Sequence, residues 1–201
     1  MASRKVARPV VLALAAALVG SAPAAAHLVT TGLGPFYDGV GHLALTPEDL
    51  MSALAIALCA GLRGKGHGRA ALLALPAAWL AGGWIGLAAA PQADTRGSAL
   101  TLLVLGVLVA SDVPWSRRWT ILLASAVGAM HGFLNGGALA SSIDGRLAVA
   151  GVAAAVAVTV ALVAAFVASL EAPWTRIAVR VAGSWIAAVG LLMLGWWIQP
   201  T

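Results

Sequence analysis

What most limits this chain is a succession of apolar segments, at residues 46–62, 69–90, 98–113, 119–140, 147–170 and 177–198, separated by short connections that carry most of the charge. A segment of roughly 20 apolar residues matches the hydrocarbon thickness of a bilayer, and a helix satisfies its own backbone there. The pattern therefore predicts an all-α integral membrane bundle of about six transmembrane helices. The first segment and the one at 98–113 are short for a perpendicular crossing, so one or both are expected to stop below a surface and leave room above. Only 9% of residues are charged, 61% are hydrophobic and the mean hydropathy is +0.96, far from the roughly 25% charge of a soluble domain. The net charge of +5 is scattered through the connections, which argues for topology and against nucleic-acid binding. Cys59 is the single cysteine; within an apolar segment it reads as a small buried hydrophobe.

The N-terminal 26 residues have the layout of a secretory signal peptide: Arg4, Lys5 and Arg8, an apolar run from Val10 to Val19, then small residues ending in Ala24-Ala25-Ala26. Its apolar core is too short for a comfortable span, although retention as an anchor is the alternative. Cleavage after Ala26 makes His27 the new N-terminus, where a free α-amine beside its own imidazole forms a chelating pair. Residues 27–45 are rich in glycine and read as an irregular periplasmic segment. Thr46-Pro47-Glu48-Asp49 then opens a helix, with a capping Thr, Pro at the first helical position and acids in the first turn, and the six-helix domain occupies 46–201. Capping alone is a sufficient account of both acids.

Orientation follows from the basic residues. With the mature N-terminus outside, Arg63, Lys65, Arg69, Arg117, Arg118, Arg176 and Arg180 fall on the cytoplasmic side, against Arg96 and Arg146 opposite, a strong positive-inside bias. His67, in a cytoplasmic connection, reads as solvated, and Trp79, Trp84, Trp115, Trp119, Trp174, Trp196 and Trp197 as an interfacial belt.

The fourth segment is interrupted by Gly128-Ala129-Met130-His131-Gly132-Phe133-Leu134-Asn135-Gly136. At helical spacing Gly128, Gly132 and Gly136 form a smooth ridge beside a polar stripe of His131 and Asn135. Such a ridge admits another helix backbone at close range. His131 either glues the bundle through a hydrogen bond or marks a functional site, the default reading of an intramembrane ionisable residue. The topology places His42, Glu48 or Asp49, His131 and Asn135 toward the outer side, with Asp38 and His27 as further candidates. Imidazole with carboxylate suits nickel, cobalt, copper or zinc. No sequence motif for a structural zinc site, a phosphate loop or a serine hydrolase is present, and no nucleophile and base can be paired, so no enzyme and no tightly bound cofactor is expected.

The signal, the mature start at His27, Gly39-Val40-Gly41-His42-Leu43 leading into Thr46-Pro47-Glu48-Asp49-Leu50, the six segments and His131-Gly132 together resemble the HupE/UreJ family. The resemblance implies a bacterial inner-membrane permease for nickel or cobalt, associated with hydrogenase and urease. In the family's first motif an Asp-His pair is typical, and the corresponding place here carries Glu48-Asp49 or Gly41-His42. In its second, His-Gly-x-x-His-Gly followed by an acid, this chain has Asn135 for the second His and Ala138 for the acid. An amide oxygen is a poorer ligand than imidazole for nickel or copper, so these departures lower the expected affinity. They also motivate a second reading: a non-transporting accessory or assembly subunit that docks a partner helix, or a second copy of itself, through the glycine ridge.

Overall fold

The computed structural model describes residues 30–91 and 95–198. The signal peptide, its cleavage site, His27 and Asp94 lie outside the described residues. Within them the chain is helical: α1 (Pro35–Leu45), α2 (Pro47–Leu62), α3 (Lys65–Ala89), α4 (Thr95–Ser111), α5 (Arg117–Ala138), α6 (Gly145–Ala168) and α7 (Pro173–Ile198). By length and composition α3, α5, α6 and α7 can each cross a membrane. α1 and α2 qualify only together, as a pair bent by 80°, and α4 is a shorter apolar helix. The count is thus four spans, or five with the bent pair taken as one, against the six expected.

The glycine-rich stretch expected to be irregular contains α1. Its glycines make room for a neighbour instead of breaking the helix: a Cβ on Gly39 would strike the backbone of Ala148, and one on Gly151 the carbonyl of Phe36. Missing side chains let α1 and α6 touch backbone to backbone, a packing mode suited to lipid. The bend falls between Leu45 and Pro47, where proline fixes the first helical position of α2 and the residue before it is pushed out of the helical region. Thr46 stands at the cap as expected, but its hydroxyl does not cap α2; it donates to the His42 carbonyl at 2.8 Å.

The glycine ridge of α5 meets α3 of the same chain. Cβ atoms on Gly128, Gly132 and Gly136 would strike the carbonyls of Leu75, Trp79 and Gly83, and Cβ atoms on Gly82 and Gly86 those of Ala129 and Phe133. Both helices run the same way and interlock every four residues. The ridge is therefore occupied internally, which removes the open face that partner docking through it requires. α4 and α7 pair antiparallel by the same means, through Gly106, Gly183 and Gly190. α2 is enclosed: from Ser52 to Leu62 nearly every residue is buried, Ala53, Ala55, Ile56, Ala57, Cys59 and Ala60 among them. A helix apolar on all sides belongs in the middle of a bundle, and this one carries Asp49 inward with it.

Candidate metal-transfer site

Asp49 stands in the first turn after the bend, but it is buried and its oxygens are bonded to α5, so capping is not its whole account. His131 and Asn135, one helical turn apart on α5, both face it. His131 Nδ1 lies 2.6 Å from Asp49 Oδ1, and Asn135 Nδ2 donates to Asp49 Oδ2 at 2.7 Å. The Asn135 amide cannot turn over freely, because its oxygen accepts from the Trp79 indole N–H at 3.1 Å. An indole nitrogen only donates, which fixes the oxygen on that side and the NH2 toward Asp49. Trp79 also stacks at a tilt on the imidazole, with ring centroids 5.4 Å apart and an interplanar angle of 31°. All four side chains are buried, Trp79 and His131 completely.

The contact with Asp49 selects a tautomer: with the proton on Nδ1 both Asp49 oxygens accept, and in the neutral form of the ring the lone pair lies on Nε2. Among the described residues that nitrogen is buried without a hydrogen-bond partner, as is the hydroxyl of Ser52, one turn beyond Asp49 on α2. A buried nitrogen denied a partner is costly to keep, whereas a histidine whose other nitrogen is held by a carboxylate is the usual form of a metal ligand. Asp49 and Asn135 then orient the ring. The Asn135 oxygen, the atom that would ligate, already accepts from Trp79.

The other candidates divide. His42, in the last turn of α1, is half-buried and within electrostatic reach of Asp49 and Glu48. Glu48 is half-buried outside the hydrogen-bonded cluster. Asp38 turns away from it and accepts from the backbone N–H and hydroxyl of Thr31, each at 2.6 Å. Among the described residues no group of three or more His, Cys, Asp or Glu side chains is placed to hold a metal ion. The cluster offers one open imidazole, not a closed cage. Trp79, assigned to the interfacial belt by sequence, is instead part of it; its place in the middle of the 69–90 segment was the available signal.

The opposite, basic end is tied differently. Arg63 donates to the carbonyls of Cys59 and Val113 and lies over the Trp115 ring, 3.4 Å from its centroid. Arg176 pairs with Asp112 at 2.6 Å and reaches the Leu62 carbonyl, and Arg180 reaches that of Ala110. His67 is not merely solvated: its Nδ1 lies 2.8 Å from the Thr120 hydroxyl, which also accepts from the Trp115 indole.

The family model described as HupE / UreJ protein matches residues 14–193. No curated protein and no solved structure matches the chain.

Proposed function

The chain belongs to the HupE/UreJ family, and from that premise we propose that it is an inner-membrane permease that passes a divalent transition metal ion, nickel or cobalt, from periplasm to cytoplasm. The observation that carries this reading is the bare Nε2 of His131, fully buried and aimed by a carboxylate. His42, with Glu48 beside the bend, receives the ion at the outer mouth. His131 takes it next, with Asp49 contributing charge and ring orientation. A broken helix close to a binding position is a recurrent device of transporters, since its ends expose polar groups at membrane depth. One imidazole and one carboxylate bind weakly, which suits passage: an ion held by a complete cage cannot leave.

The test is radiometal uptake into cells expressing the wild type or His131→Ala, with membrane levels of the two matched by immunoblot. Uptake of nickel or cobalt above background in the wild type, lost in the variant, is the expected outcome. Equal uptake with and without the protein across nickel, cobalt, copper and zinc would sink the reading.

A further inference from the structure

A groove of about 250 Å³ runs along the outside of the bundle between α3 and α6, and its two ends differ in chemistry. Its length is apolar, walled by Leu72, Val160, Ala161, Ala164 and Ala165, and its mouth at the basic end holds Lys65 and Arg69. The walls are low because α6 contributes alanines there, while Leu162 and Phe166, one turn apart on another face of α6, project outward, about two-thirds exposed. Gly68 keeps the helices close, since a Cβ there would already touch Ala164. Lys65 and Arg69 stand one turn apart on α3, both exposed. Among the described residues neither makes a hydrogen bond or ion pair, unlike Arg63, Arg176 and Arg180 at the same end.

We propose that this groove is a binding site for one anionic phospholipid, its phosphate on Lys65 and Arg69 and one acyl chain along the alanine trough. The charge and the shape point to the same occupant. Two unpaired cations one turn apart match a phosphodiester, and the trough continues from them at the depth of the acyl chains. A zwitterionic lipid fills the trough equally well but brings its own cation to the mouth. Basic pockets between membrane helices are established sites for acidic headgroups, at about 1 kcal/mol per Lys or Arg, or roughly fivefold in affinity for each.

Native mass spectrometry of the full chain in micelles, titrated with dioleoylphosphatidylglycerol or dioleoylphosphatidylcholine, reads the site directly. The wild type should hold one phosphatidylglycerol in clear preference to phosphatidylcholine. The Lys65→Gln/Arg69→Gln double variant should lose on the order of 25-fold in affinity for the anionic lipid, to the level of the zwitterionic one. Ala165→Leu, which fills the trough from an exposed position, should weaken both lipids with the cations intact. Arg117→Gln/Arg118→Gln removes equal charge from the same end, outside the groove, and should preserve the preference. Equal binding of the two lipids by the wild type would overturn the proposal. So would an equal loss in the Arg117/Arg118 variant, or displacement of the bound lipid by millimolar inorganic phosphate, which would make the pair a site for free anions.

Discussion

Two polar networks hold this bundle among the described residues, and they differ in how deeply they are buried and in what they bond to. Around Asp49 every member is buried, each bond joins side chain to side chain, and one nitrogen remains open. At the basic end the arginines are half-buried or exposed and mostly reach backbone carbonyls at helix ends; Arg176 is 56% exposed against 10% for the Asp112 side chain, and Arg63 Nε and Asp112 Oδ1 are the buried atoms left without a partner there. Polar bonds at a wet helix end satisfy carbonyls that have no partner within the helix. Bonds of the first kind have no such local duty, and burying them costs free energy that packing alone would avoid. The contrast separates a site from a set of ties.

The largest effect is expected from Asp49→Ala. It leaves the His131 and Asn135 donors buried without their shared acceptor. The loss of stability should be on the order of 2 kcal/mol, below soluble-protein values because a chain left in lipid finds other partners. Thermal unfolding in micelles measures it, and metal uptake should fall to background. A stability equal to wild type would mean that water already reaches the cluster.

Asp49→Asn sharpens the same point with a smaller effect on the fold. The new amide can accept from Asn135 and donate to His131 Nδ1, so both contacts persist if the ring changes tautomer. The proton then sits on Nε2, and the open lone pair is gone. The expected outcome is a near-wild-type unfolding midpoint with uptake lost, a split that a purely structural role for Asp49 does not produce. Retained uptake in a well-folded Asp49→Asn protein would remove the carboxylate from the transfer step.

Much of this was legible in the sequence, for physical reasons that differ by region. Apolar runs are local information, so the helices α2 to α7 could be read directly, as could the start of α2 at Thr46-Pro47. α1 was hidden because glycine is ambiguous: Gly39 reads as a breaker on propensity, yet serves as a contact point for Ala148. The ridge of Gly128, Gly132 and Gly136 was visible, but its mate was not, since the α3 atoms it meets are backbone carbonyls of Leu75, Trp79 and Gly83. His131 and Asn135 could be placed together by period, and Asp49 on the same side by topology. The choice of Asp49 over Glu48 could not be made, since a helix start accounts for both acids equally. Trp79 as the partner of Asn135, and Asp112 as that of Arg176, depend on contacts 56 and 64 residues apart in the chain, which no local pattern encodes.

Trp79→Phe should have a moderate effect. It keeps most of the ring stacked on His131 but removes the N–H that pins the Asn135 amide, a hydrogen bond worth roughly 0.5–1.5 kcal/mol. Uptake should be reduced but present, and nickel affinity measured by isothermal titration should shift by a few-fold, because the amide oxygen becomes free to turn. Complete loss of uptake at unchanged stability would promote Trp79 from orienting group to an essential wall of the path.

The smallest effect should come from Asp112→Asn at the basic end, the same chemical change as at Asp49. Asp112 has a left-handed backbone, φ 52°, which asparagine tolerates nearly as well as aspartate, so the substitution isolates the charge. Arg176 keeps its contact with the Leu62 carbonyl, and its exposed guanidinium is readily resolvated. An ion pair exposed on one side is worth about 1 kcal/mol or less and is partly screened by salt, and here the arginine is 56% exposed and the Asp112 side chain 10%. The unfolding midpoint should therefore differ little from wild type, with any difference vanishing near 1 M salt, where the Debye length is only about 3 Å. The deficit of Asp49→Ala should persist in the same salt, since a buried cluster is not screened. Uptake by Asp112→Asn should match the wild type. A salt-resistant loss as large as that of Asp49→Ala would show that the basic end is as enclosed as the cluster around His131. A rise in uptake would instead make the Arg176–Asp112 pair a closure that the ion must open on its way out.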